Sequence, residues 1–168
     1  KDLLIKEEII KTGENEQITE IIRFTHRGPI VNRFKKEAEH ALSIHWIGNE
    51  MSNEIRSVFL LNRAKNWNDF RQALRTFKAI GQNVVYADLA GNIGLQTSAG
   101  IPIRRGNGIE IYPGNSSLYD WTGFVPFEHL PYELNPERGY VSSANNKTVP
   151  ENYPYYIGYR FAIPDRIN

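Results

Sequence analysis

Seven of the nine prolines lie at or beyond Pro113, in a stretch where Tyr and Trp alternate with Gly and Asn. Proline lacks the N–H that a helix interior or a central strand requires, and its ring fixes φ. Regular structure is therefore expected mainly before Gly100, with long ordered loops after it. Loops of that length built around aromatic side chains usually cover or line something. The chain has no Cys, so disulfides, thiolate zinc sites and a Cys nucleophile are excluded. Apolar burial must hold the fold, and 40% hydrophobic with 12% aromatic residues is enough for a core. A length of 168 residues is that of one ordinary domain or one long subdomain.

Before Gly100 the hydrophobic period changes twice. Leu3 to Lys11 and Gln17 to Thr25 are β-prone runs around Gly13-Glu14-Asn15, which predicts a hairpin. Gly28 to Asn32 reads as a turn into a short run, Arg33 to His40 as a charged loop, and Ala41 to Ile47 as a strand. From Ser52 the spacing of Ile55, Phe59 and Leu60 or Leu61 predicts a helix to about Ala64, capped by Ser52 or Asn53. Trp67, Phe70, Leu74 and Phe77 predict a second helix that Gly81 ends. Asn83 to Asp88 and Ile93 to Thr97, flanking Leu89 to Asn92, predict a second hairpin. The fold class is α+β.

Basic and acidic residues number 20 and 19, and they are mixed along the chain, so no global field for nucleic acid or an acidic membrane is expected. No run approaches the roughly 18 apolar residues of a spanning helix. Lys1 to Glu7 lacks the pattern of a signal peptide, so the expectation is a soluble segment. His26, His40, His45 and His129 have no metal-ligand spacing. Arg105-Gly106-Asn107-Gly108 lacks the third Gly and the strand–helix setting of a dinucleotide loop. No Gly-x-Ser-x-Gly elbow is present. Arg104 and Arg105 are too few for a nucleic-acid surface, and Asn115-Ser116-Ser117 and Asn146-Lys147-Thr148 match the glycosylation pattern as short chance motifs. Asn145-Asn146 follows Gly139 to Ala144, which reads as a strand. A side-chain amide at that junction can donate to a developing oxyanion, and Asn-Asn is also ordinary turn chemistry.

An ordered series of short segments goes further. It comprises Thr25-His26-Arg27-Gly28-Pro29, Asn66-Trp67-x-x-Phe70-x-x-Ala73, Gln82-Asn83-x-x-Tyr86-Ala87-Asp88-x-x-Gly91-Asn92-Ile93-Gly94, Pro113-Gly114, and Tyr119-Asp120-Trp121-x-Gly123-x-x-Pro126. Asn135-Pro136-x-x-Gly139-Tyr140, Ala144-Asn145-Asn146, Tyr153-Pro154 and Asp165-Arg166-Ile167 complete it. In this order the series resembles the catalytic β-chain of the penicillin acylase (penicillin amidase) family, N-terminal-nucleophile hydrolases, from about residue 20 to 167.

The resemblance implies that residues 1–168 form a single incomplete segment of the β-chain catalytic domain, a portion of the four-layer αββα sandwich of that class. It implies an amide hydrolase that acts through an acyl-enzyme on an N-terminal Ser exposed by autoproteolysis of a precursor. That Ser and the α-chain are expected outside this chain, which alone is then inactive. Asn145 falls where the family places an oxyanion-hole Asn, and Arg166 where it places an Arg near the catalytic amine and the substrate. Implied partners are the α-chain, the rest of the β-chain and a small-molecule amide substrate, either penicillin-like or an N-acyl-homoserine lactone. No nucleic acid or membrane partner is implied, and the implied location is periplasmic or exported, in a bacterium. Some relatives bind calcium, but the stretch between Pro154 and Asp165 lacks the expected acid, so a calcium site is doubtful. The alternative from the residues alone is a non-catalytic α+β module whose late aromatics bind a ligand or partner.

Overall fold

The computed structural model describes residues 3–34, 39–163 and 165. These fall into two compact units, divided after Glu50.

In the first unit β1 (Leu4–Lys11) and β2 (Gln17–Thr25) form the expected hairpin, in antiparallel register from Leu4↔Phe24 to Lys11↔Gln17. The Thr12 N–H closes the turn on the Glu16 carbonyl at 2.9 Å. The short β3 (Gly28–Pro29) pairs with the end of β2. Gly28 is required here: its φ is 136°, and a Cβ would lie 1.9 Å from the Ile44 carbonyl oxygen. The run from Ala41 to Ile47 is not a full strand. It forms one bridge, Ser43 to Ile30, because the Asn32 side chain occupies both the Leu42 N–H and the His40 carbonyl, each at 2.7 Å. A side chain that supplies these bonds takes the place of a ladder.

The second unit holds α1 (Glu54–Leu61) and α2 (Trp67–Leu74), capped by Asn53 and Asn66, whose side chains accept from the N–H groups of Arg56 and Asp69. Its sheet has the order β4 (Gln82–Ala87), β5 (Ile93–Ser98), β8 (Tyr132–Leu134), all antiparallel. The dipeptide strands β6 (Pro102–Ile103) and β7 (Gly123–Phe124) pair with each other. Phe70, Ala73 and Leu74 of α2 are buried with Leu95, Val125 and Leu130. No helix among the described residues is long and apolar enough to cross a membrane.

Two further sequence expectations are corrected. The second helix ends at Leu74 rather than near Gly81. The Ser98 hydroxyl takes the Leu74 and Phe77 carbonyls at 2.8 and 2.9 Å, and the Glu54 carboxylate takes the N–H groups of Lys78 and Ala79. The residues after Leu74 thus have better partners than another helical turn. In α1 the stripe of Ile55, Val58 and Phe59 faces outward, while Ser57 is buried against Thr76 at 2.9 Å. Finally, Gly139 to Ala144 is not a strand. Gly139 at φ 72° and Asn145 at φ 61° bracket it with left-handed residues, which do not continue a pleated strand.

Glu54 also sets an acid limit. The N–H of Ala79, then that of Lys78, then the Ser52 hydroxyl hold its carboxyl down from 4.5 to about 2. A group depressed on folding adds stability above its unfolded pKa and loses it as pH falls through the folded one. Glu54→Gln is therefore expected to lower stability at neutral pH by about 1 kcal/mol after allowance for solvent screening. The gap between mutant and wild-type melting temperatures should close as the pH is lowered from 4.5 towards 2.

Candidate active site

Three of the motifs, those around Trp67, Tyr86 to Gly94 and Asn135, meet at the β4–β5 hairpin. Asp88 in its turn accepts from the N–H groups of Ala90 and Asn92, the Asn92 amide and the Tyr86 hydroxyl. The Asn92 side chain, the Tyr86 hydroxyl and the Asn92 N–H all hold the Asp88 carboxyl below its ordinary value. Asn135 then links this turn to the end of β8. Its Oδ1 accepts from the Ile93 N–H at 2.9 Å, and its amide donates to Asn92 Oδ1 at 2.8 Å. Trp67 packs over Gly94, where a Cβ would lie 2.7 Å from the indole. Its ring meets Phe70 and Tyr86 at 5.3 and 5.4 Å. These residues are a scaffold that fixes where the chain after Asn135 departs.

Arg138, Tyr140 and Asn146 to Val149 of that departing chain help to line a cavity of about 480 Å³ together with β5 and β8. Leu95 and Tyr132 form part of its wall, and Arg138, Tyr140, Asn146 and Lys147 supply polar edges. Arg138 pairs with Glu133 and lies over the Tyr140 ring. Behind the sheet, Arg71 Nε donates to the buried Gln96 at 2.8 Å and stacks over Tyr132 at 4.0 Å, which fixes the β5–β8 wall.

The Asn145-Asn146 pair divides its two possible roles. Asn146 does the turn chemistry: its Oδ1 accepts from the Ala144 N–H at 3.1 Å and its amide donates to the Lys147 carbonyl at 3.2 Å. Asn145 adopts the left-handed conformation that Asn tolerates among L-residues. Its carbonyl is tied to the Ala162 N–H at 2.7 Å. Its side-chain amide is exposed and makes no hydrogen bond among the described residues. An amide held on a fixed backbone with no partner of its own can meet an oxygen on which charge develops. Asn145 does not itself line the cavity; its neighbours Asn146 and Lys147 do.

Arg166, the other residue singled out from sequence, lies outside the described residues. Of the four histidines, His129 has a role that sequence reasoning missed: its Nδ1 is 2.7 Å from the Tyr155 hydroxyl. Among the described residues no three His, Asp or Glu side chains converge to hold a cation.

Residues 1–168 match the penicillin amidase family over their whole length. The chain is 32% identical over 154 residues to an acyl-homoserine lactone acylase of Pseudomonas fluorescens, a match covering 89% of this chain and 19% of that protein. It is 30% identical over 155 residues to penicillin G acylase of Escherichia coli, covering 90% of this chain and 18% of the relative. The chain thus spans less than a fifth of the length of these relatives. Among solved structures, a thermostable penicillin G acylase from Alcaligenes faecalis, an N-terminal-nucleophile hydrolase, superposes with a TM-score of 0.66 at 25% identity, covering 94% of this chain and 29% of that one. The mixed α and β structure thus agrees with the structural relative, and the chain belongs to the penicillin amidase family.

Proposed function

We propose that these residues are part of an enzyme that hydrolyses a non-peptide amide with an apolar acyl group. The nucleophile is an N-terminal Ser carried outside the 168 residues. Its Oγ attacks the amide carbonyl while its own α-amino group takes the hydroxyl proton. That amine is suited to the task, since its unperturbed pKa of about 7.7 to 8.0 leaves a usable neutral fraction near pH 7. The C–N bond then breaks, the leaving amine departs with the proton, and water cleaves the acyl-enzyme by the same route. Asn145 donates its amide to the carbonyl oxygen as it becomes an oxyanion. To Arg166 falls the role of favouring the neutral form of that amine by like charge and of helping to orient the substrate.

What supports this reading is the Asn145 amide, fixed at φ 61° by its own turn and unpaired among the described residues, in a chain of this family. The α-chain and the remainder of the β-chain complete the site, and the enzyme acts in the bacterial periplasm or beyond. The relatives' names point to two acyl classes, the aromatic acyl group of penicillin G and the fatty acyl chains of homoserine lactones. The test is amine release by the mature full-length enzyme from a phenylacetyl amide and from a decanoyl-homoserine lactone. Turnover of at least one is expected. No release from either after correct maturation contradicts the proposal.

A further inference from the structure

From Asn145 the chain runs through an irregular strap and returns at Ala162, whose N–H closes it on the Asn145 carbonyl at 2.7 Å. No helix or strand stabilises this strap between Asn145 and Ala162. With no ladder of its own, the strap keeps its course only where its groups are paired with the rest of the unit. The fixing point is His129. The Tyr153 hydroxyl donates to the His129 carbonyl at 2.7 Å, and the Tyr155 hydroxyl meets His129 Nδ1 at 2.7 Å. The His129 and Tyr155 rings lie 5.7 Å apart, and Tyr153 meets Tyr155 edge-on at 5.7 Å. His129 is itself anchored. Its N–H donates to the Pro126 carbonyl at 2.9 Å, and the next residue, Leu130, is buried in the core. Burial, then the nearby Tyr155, pushes the Tyr153 phenol up, so it stays protonated and able to donate.

We infer that His129 and Tyr155 are positioning residues: their clasp holds the strap so that Ala162 keeps Asn145 in the conformation that presents its amide. This rests on the oxyanion reading of Asn145. Loosening the clasp removes aim rather than substrate contact. The oxyanion exists only along the reaction path, so the loss falls on kcat and spares KM.

The experiment is steady-state amide hydrolysis by the mature full-length enzyme, with active sites titrated. Tyr155→Phe keeps the ring and removes the hydroxyl, and is expected to lower kcat by about tenfold while KM changes by less than about twofold. His129→Leu should reproduce this loss, and His129→Gln, which restores a polar partner, should recover most of it. In an Asn145→Ala background Tyr155→Phe should have no further effect on kcat, the signature of two residues acting as one unit. An unchanged kcat in Tyr155→Phe, or an equal loss in both backgrounds, overturns the clasp while leaving the oxyanion reading intact. An unchanged kcat in Asn145→Ala overturns the reading beneath it. If Asn145→Ala does not mature, tryptic cleavage after the exposed Arg160 in the strap decides. Faster cleavage in Tyr155→Phe supports the clasp, and an unchanged rate overturns it.

Discussion

Asn145→Ala in the mature full-length enzyme is expected to lower kcat by about 100- to 1000-fold with KM little changed, the loss typical of one oxyanion donor. The size follows from preorganisation. The Asn145 amide has no hydrogen bond to give up among the described residues, and its backbone is set by the Asn146 turn and the Ala162 tie. Little of the interaction with the oxyanion is then spent on breaking old bonds or ordering the backbone. Ala cannot donate, and it also strains at φ 61°. Rates are to be normalised to titrated active sites, which separates slow chemistry from incomplete maturation. A loss confined to KM would assign Asn145 to ground-state binding instead.

Leu74→Ala is expected to destabilise the fold by about 2–5 kcal/mol, measured as a shift of the denaturation midpoint at unchanged slope. Leu74 is fully buried at the end of α2. Its carbonyl accepts from the Ser98 hydroxyl at 2.8 Å, so the last turn of the helix is held to β5 and the cavity left by truncation cannot readily collapse. Leu74→Met, which nearly conserves volume, is expected to cost less than about 1.5 kcal/mol. Similar losses for the two would show that polarity or backbone geometry, not packing, governs the site.

Both hairpins were legible because each joins β-prone runs through a turn containing Gly and Asn, and both helices because apolar residues recur at helical spacing behind an Asn cap. Periodicity specifies an element and not the surface that covers it, so Ile55 and Phe59 correctly marked α1 while Ser57 is the residue turned inward. The strand β8 was missed because Tyr132–Leu134 is three residues long and follows Pro131. It joins the sheet through Gly94, Leu95 and Gln96, far away in sequence. At the site, the motifs located Asn145 and Asn146, but only the backbone shows that Asn146 serves the turn while Asn145 is left with its amide unpaired among the described residues. The clasp was not legible because His129 and Tyr155 stand 26 residues apart with no period linking them.

The most direct measurement is a crystal structure of the mature enzyme with a substrate-like boronate or phosphonate bound as a tetrahedral adduct. The account predicts the adduct oxygen within about 2.7–3.1 Å of Asn145 Nδ2, with the adduct bonded to an N-terminal Ser. An adduct oxygen held by other donors, with the Asn145 amide turned away, would contradict it.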